Sequence, residues 1–463
     1  MLNNSQTALT STIAAIATPM GRGGVGVIRL SGPNSYQIAL ALTGRQAFKP
    51  RFAHFCRFYD RDDTVIDEGL VLYFPAPHSF TGEDVIELQG HGGMILQQQL
   101  LTRVFELGAN QAVAGEFSAR AFDNDKLDLV QAEAIADAID ATSVAAAKSA
   151  MRSLTGEFSQ KINALLEQLI QLRLYVEAAI DFPDEEGVDF LADEHIAKQL
   201  RQVCEQLNTV LATAKQGQLL RDGVSVVIAG RPNAGKSSLL NRLAGQERAI
   251  VTDIAGTTRD ILQETIVLNG LTLNLTDTAG LRQTDDIVEQ AGIERARQAI
   301  TQADLLLMVY DAHREHEPLR LATELFGSLP NANSILMIAN KIDLSDNHQN
   351  LPKQFSSQEQ IYHPVYVSCK YGTGLEELVN QICDKVGFHP PENSLIARTR
   401  HLDALRRTQM ALQEADEQLH LFHAGELVAE SLRQAQISLN EITGEFTADD
   451  LLGKIFGSFC IGK

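Results

Sequence analysis

Residues 224–244 read VSVVIAGRPNAGKSSLLNRLA, an apolar run of strand length, a glycine-containing turn and then a helix-forming segment. Within it Gly230 to Ser237 matches G-x-x-x-x-G-K-[ST] after a strand and before a helix, the context that motif needs to cradle phosphate. The glycines let the backbone curl until its N–H groups and the helix N-terminus face phosphate oxygens. This places Asn233, Ala234, Gly235, Lys236, Ser237 and Ser238 around a nucleotide. Lys236 then reaches the β and γ phosphates, and the Ser237 hydroxyl is a ligand for Mg²⁺.

Working outward, LTLNLTDTAG (271–280), ADLLLMVYDA (303–312), NSILMIANKID (333–343) and HPVYVSCK (363–370) are further strand-length apolar runs, alternating with helical segments to about Val386. That is a βα repeat, and it predicts a largely parallel sheet. Asp277-Thr278-Ala279-Gly280 ends one of these strands, with a carboxylate near the metal shell and a Gly280 N–H near the γ-phosphate, as in a hydrolysis sensor. Asn340-Lys341-Ile342-Asp343 closes another. An acceptor-only carboxylate at Asp343 takes two hydrogen bonds from guanine, and adenine offers no such pair, so the site selects GTP. Ser368, Cys369 and Lys370 form the loop that meets the guanine carbonyl, with a cysteine where alanine is commoner. After D-x-x-G stands Leu281, which cannot orient a water, leaving Arg259, Arg282, Asp285, Asp286 and Glu289 as unranked alternatives.

On either side the texture changes. From Thr12 to about Asp123 short apolar runs such as VGVIRL (25–30) and EGLVLYF (68–74) alternate with Gly and Pro turns, with a helix predicted at 94–107, giving an α+β module. Residues 127–180 and 195–218 show helical periodicity, as do 394–422, 427–439 and 449–456. Seven acids and no base lie between 181 and 194, which reads as a solvated connection. The economical organisation is an α+β domain (1–123), an all-α domain in two parts (124–221 and 387–463), and a Ras-like P-loop α/β domain (222–386) inserted into it.

With 463 residues the chain is long enough for about three such domains. Its 39 Lys plus Arg stand against 59 Asp plus Glu, a formal charge of −20, so any nucleic-acid contact is local rather than a general coating. Five cysteines (Cys56, Cys204, Cys369, Cys383, Cys460) with no C-x-x-C pair suggest neither a disulfide framework nor a thiolate zinc site, and fit a reducing compartment. The stretch 8–20 lacks a basic n-region, and no uncharged apolar run approaches the ~18 residues of a membrane span, so a cytoplasmic protein is expected.

GRPNAGKSS, TDIAGTTRD, DTAGLR and NKID, taken with TIAAIATPMGRGGVGVIRLSG, FTGEDVIELQGHGG, GEFSARAFDNDKLDL, YVEAAIDFPDEE, ITGEFTADDLLGKIF and the terminal FCIGK, resemble the MnmE (TrmE) family of tRNA-modification GTPases over almost the whole chain. The resemblance implies an N-terminal tetrahydrofolate-binding domain that also dimerises, a helical domain and an inserted G domain. It implies work with a flavoprotein partner, MnmG, in a heterotetramer or larger complex. Together they would add an aminomethyl-type group to C5 of the wobble uridine, U34, of certain tRNAs, from a 5-formyl or 5,10-methylene tetrahydrofolate derivative. By the same resemblance K⁺ promotes pairing of two G domains in a homodimer. Asn233, Thr252, Ile254 and Thr257 match its potassium-binding element, in a nucleotide loop formed by Thr252, Asp253, Ile254, Ala255, Gly256, Thr257 and Thr258. Ser237 and Thr258 would hold Mg²⁺, and Glu289 matches the water-orienting, catalytic glutamate. Without the resemblance, Glu289 reads as a solvated helix residue.

Arg29, Glu87, Lys126 and Lys463 match folate-contacting positions, where the residues alone suggest ordinary surface ion pairs. The string Gly21-x-Gly23-x-x-Gly26 matches a dinucleotide fingerprint but is followed by a strand, not a helix, which excludes NAD or FAD there. Cys460 has no His and acid partner assignable from sequence, and a thiol of ordinary pKa, ~8.5, is mostly protonated. Arg398, Arg400, His401, Arg406 and Arg407 form the one concentrated basic stretch, read as a solvated helix face in preference to an RNA contact. The competing function is a GTP-dependent ribosome-assembly switch. The acidic composition and the lack of a KH-type unit disfavour it.

Overall fold

The computed structural model describes residues 11–181, 194–245, 263–277, 299–344, 351–390, 393–445 and 449–462, apart from residues 20, 358 and 423. Contacts divide the chain into two compact units, one of Met1–Ala136, Leu154–Leu166 and Arg433–Lys463, the other of Asp137–Ser153 and Glu167–Leu432.

The first unit holds strands β1 (Ile13–Ile16), β2 (Gly26–Ser31), β3 (His54–Tyr59), β4 (Val65–Phe74), β5 (Val85–Gly90) and β6 (Asn110–Gln111), in the order β3-β4-β5-β2-β1-β6. Every pairing is antiparallel except β1 with β6. Alternation along β2 buries Ile28 and Leu30 against helices α1 (Ser35–Thr43) and α2 (Met94–Glu106), beside Leu42, Phe58, Leu88 and Val104. On the other face Ile13 and Ala15 of β1 pack with Phe117 of α3 (Glu116–Asp123), in the sheet that also carries Arg29 and Glu87. Near the C-terminus, Ile455, Phe456 and Phe459 pack on Leu129 and Ala132. The chain then returns to the sheet: Gly115 N–H donates to Cys460 O at 3.5 Å, and Ile461 bridges Ala114. Gly462, at φ +97°, sits where a Cβ would lie 2.4 Å from Ile16 O, so only glycine fits.

Helix α4 (Leu129–Ile139), α5 (Val144–Leu154) and the long α6 (Glu157–Asp181) follow α3, and α7 (Glu194–Asp222) leads into the second unit's sheet. That sheet comprises β7 (Val224–Ala229), β8 (Gln263–Leu268), β9 (Leu271–Asp277), β10 (Leu305–Asp311), β11 (Ile335–Asn340) and, after the small hairpin β12 (Phe355–Ser357) and β13 (Gln360–Tyr362), β14 (Pro364–Tyr366). Its order is β14-β11-β10-β7-β9-β8, parallel except for the edge strand β8. β11 is buried at every position and β10 at all but its last, as strands covered on both faces must be. The flanking helices include α8 (Lys236–Ala244), α9 (Pro318–Phe326) and α10 (Leu375–Val386).

After α10 the chain rejoins the helices, with α11 (Thr399–Glu417) packed on α7 and followed by a π-turn (Gln418–Phe422) and α12 (Gly425–Thr443). Sequence periodicity predicts helix from Ser394, whereas α11 starts at Thr399. The carbonyls of Ser394 and Ile396 are taken by the hydroxyls of Ser149 (2.8 Å) and Ser153 (3.3 Å) on α5, which holds that segment out of the helix. Where the insert leaves and re-enters the helices, one buried carboxylate grips both chain segments. Asp137 Oδ1 accepts from Arg221 Nε at 2.8 Å and from Arg398 Nη2 at 2.7 Å. Among the described residues no helix is long and apolar enough to cross a membrane.

Candidate functional site

The turn after β7 curls as its glycines allow. Gly235 has φ +99° and a Cβ there would lie 2.1 Å from Asn340 Nδ2; a Cβ on Gly230 would lie 2.1 Å from Val309 O. Asn233 adopts φ +63° at the exposed crest, and Ala234 is buried beneath it. Lys236, nearly buried, opens α8 and folds back into the turn, donating to Gly230 O at 3.0 Å and Arg231 O at 3.3 Å. Its ammonium is thus held at the centre of the loop. Ser237 and Ser238 are exposed on the first turn of α8, where helix N–H groups point outward. Arg231 is drawn away by Glu324 (3.0 Å) and Glu315 (3.5 Å).

Asn340 ties this turn to the base-recognition loop. Its Nδ2 donates to Ala234 O at 2.9 Å, and its Oδ1 accepts from the Cys369 N–H at 3.2 Å, all within the interior. Asp343 accepts from the Ser368 hydroxyl at 2.6 Å, which fixes the carboxylate at the loop's mouth. Arg242, in the last turn of α8, donates to Cys369 O (2.9 Å) and Lys370 O (2.8 Å). One short helix therefore carries the glycine-rich turn at its start and grips the Ser368–Lys370 loop at its finish. Burial pushes the Cys369 thiol up, and the contacts described here are made by its backbone N–H and C=O. Lys341, at φ +65°, pairs with Asp311 at 2.9 Å. Burial raises the Asp311 carboxyl, but the Lys341 ammonium and the His313 N–H outweigh it and hold it below the usual range.

Asn233 through Ser238, Asn340, Lys341, Asp343 and Ser368 through Lys370 are thus brought into one site, and Asp277 ends β9 opposite Ile228 of β7. Thr252–Thr258, Thr278–Gly280, Glu289, Arg259, Arg282 and Lys463 lie outside the described residues. Of the residues expected to hold metal ions, Ser237 and Asn233 are described, and both are exposed at the glycine-rich turn. The grips by Arg242 and Asp311 have no local sequence signature.

On the open face of the first sheet, Arg29 and Glu87 are register partners of β2 and β5. The guanidinium donates to Glu87 Oε1 from Nη2 (2.9 Å) and Nε (3.1 Å), and lies 5.4 Å from the Phe80 ring centroid and 5.9 Å from that of Phe117. Lys126 is exposed and lies across Gly82, in the same loop as Phe80. Of the two rings beside the guanidinium, Phe117 is fully buried and Phe80 is partly exposed. Gly462 rests on Ile16 of β1, the neighbour of β2.

The basic stretch at the start of α11 is not one uniform solvated face. Arg398 is committed to Asp137. His401 is buried, with its Nδ1 accepting from the Arg398 N–H at 3.1 Å to cap the helix, and Arg406 pairs with Asp403 at 3.2 Å. All five cysteines are free thiols, with Cys460 exposed.

The family model described as "MnmE helical domain" matches residues 129–460, and that described as "GTP-binding protein TrmE N-terminus" matches residues 12–126. A protein named tRNA modification GTPase MnmE from Psychrobacter arcticus is 73% identical over 470 residues, spanning 100% of this chain and 98% of its own. Proteins of the same name from Psychrobacter cryohalolentis (75% over 460 residues; 98% and 96%) and Acinetobacter baumannii (62% over 453 residues; 98% of both) are likewise similar throughout.

Proposed function

The chain belongs to the MnmE family of tRNA modification GTPases, and on that premise we propose that it is a GTP hydrolase that works with a flavoprotein partner, MnmG, on the wobble uridine, U34, of certain tRNAs. An aminomethyl-type group is added at C5 from a tetrahydrofolate one-carbon unit. The observation that carries the GTPase reading is Asn340, which locks the phosphate turn to the guanine loop through two buried hydrogen bonds. Similarity to tRNA modification GTPases over almost the whole chain favours this reading over the ribosome-assembly alternative.

In this reading Ser237 and Thr258 hold Mg²⁺, while Asn233, Thr252, Ile254 and Thr257 hold a K⁺ that neutralises charge developing on the phosphates. Hydrolysis then requires two copies whose G domains meet, within a cytoplasmic homodimer. Residues 1–123 bind folate and dimerise, 124–221 and 387–463 form the helical domain, and 222–386 form the G domain. Arg29, Glu87, Lys126 and Lys463 receive the folate: the carboxylate accepts from ring N–H groups and the cations meet its acidic tail.

The test is GTP turnover measured in potassium and in sodium across a protein dilution series. Potassium should raise the rate, and specific activity should fall on dilution as dimers separate. Equal rates in the two salts would remove the cation from the mechanism. Glu289→Ala should leave GTP affinity nearly unchanged and lower kcat at least ~10²-fold, read by single-turnover hydrolysis beside equilibrium nucleotide binding. An unaltered kcat excludes Glu289 as the water-orienting group.

A further inference from the structure

The β8–β9 hairpin turns on Asn269 and Gly270, both at positive φ (+51° and +87°), the tight geometry that Asn-Gly favours. In sequence its two arms adjoin both phosphate-side loops, since β8 follows TDIAGTTRD and β9 ends on Asp277 of DTAG. Along β9 the parallel register with β7 is continuous from Leu273 to Asp277. The turn therefore lies about 20 Å from the nucleotide end, at the far end of a stiff ladder.

That turn is fastened to the start of α5. Thr142 Oγ1 lies 2.8 Å from Thr272 Oγ1. The Ser143 hydroxyl does two things at once: it accepts from the Ala146 N–H at 3.1 Å, capping α5, and donates to Gly270 O at 3.2 Å. A Cβ on Gly270 would lie 3.3 Å from the Ala145 Cβ, so the two backbones nearly touch. The joint is narrow, because a groove of about 1330 Å³, lined by Val144, Lys148 and Met151 of α5 among others, opens beside it. On its other side α5 holds the carbonyls of Ser394 and Ile396, which lead into Arg398 and α11.

We propose that Thr142 and Ser143 are positioning residues that couple GTP hydrolysis to tRNA modification. A displacement at the Asp277 end of the hairpin is carried to its turn, through the two hydroxyls into α5, and from α5 to the segment that begins α11. The proposal rests on the chain's GTPase and tRNA-modification reading, and on neither the potassium nor the folate part of it.

Ser143→Asp keeps a cap for α5 but presents a carboxylate, which cannot donate to Gly270 O. Thr142→Val removes the other hydroxyl at constant shape, and Thr142→Ser restores it. The full-length chain carrying each change replaces the resident copy in cells, where modified U34 is quantified. The same proteins, purified, are assayed for GTP turnover and melting temperature. Ser143→Asp with Thr142→Val should hydrolyse GTP within ~2-fold of the unaltered protein and lose modification at least ~10-fold, while Thr142→Ser retains both. Full modification in the double variant overturns the proposal. So does a parallel loss of turnover, modification and melting temperature, which makes the joint merely structural. An unaltered protein that supports no U34 modification would instead overturn the functional reading itself.

Discussion

Lys236→Ala is expected to lower kcat/KM for GTP by ~10³-fold, about 4 kcal/mol of lost transition-state stabilisation. Two losses combine. The ammonium is nearly buried inside the phosphate turn, where it donates to the carbonyls of Gly230 and Arg231. When phosphate arrives, the same group is already placed to meet it, and alanine leaves both the carbonyls and the phosphate without their donor. Lys236→Arg should not rescue, since a planar guanidinium is wider than the ammonium the turn closes around. Steady-state hydrolysis with a thermal melt as control reads the effect. A Lys236→Ala protein with ordinary turnover would show that the turn works through its backbone alone.

Deleting Cys460–Lys463 is expected to abolish tRNA modification, to below ~1% of the unaltered level, while GTP turnover stays within ~2-fold. The anchors of the C-terminal segment, Phe456 and Phe459, lie before the cut and keep their packing on Leu129 and Ala132. What is lost is the stretch that pairs with Ala114 and rests on Ile16, next to the strand that carries Arg29 and its partner Glu87. The nucleotide residues belong to the other unit and keep every contact described above. Modified-nucleoside quantification beside a hydrolysis assay separates the two activities. Persistent modification would show the tail to be dispensable.

Much of this was legible in the sequence because its signals are local. Strand-length apolar runs alternating with amphipathic helices gave the parallel sheet, and the glycines of the P-loop are demanded by collisions that the structure makes explicit at Gly230 and Gly235. The helix predicted at 94–107 is observed at Met94–Glu106. What escaped depends on partners far away in the chain. Nothing near Arg398 announces that Asp137 will take its charge, so a basic run reads as a solvated face when one of its five members is buried and another is committed to a buried carboxylate. In the same way Ser394–Ala397 looks helical until the hydroxyls of α5 claim its carbonyls. The Asn269-Gly270 turn was different. An Asn-Gly pair favours such a turn wherever it stands, and its attachment to α5 required the fold.

The shared carboxylate of Asp137 bears on how such an architecture can arise. A disordered loop of roughly 170 residues would burden its host by about 4–5 kcal/mol of closure entropy. A folded segment whose ends are held at one carboxylate, between Arg221 and Arg398, imposes little more than a short turn would. In closure entropy alone, a long excursion whose ends meet in this way therefore weighs on the surrounding helices little more than a hairpin bend.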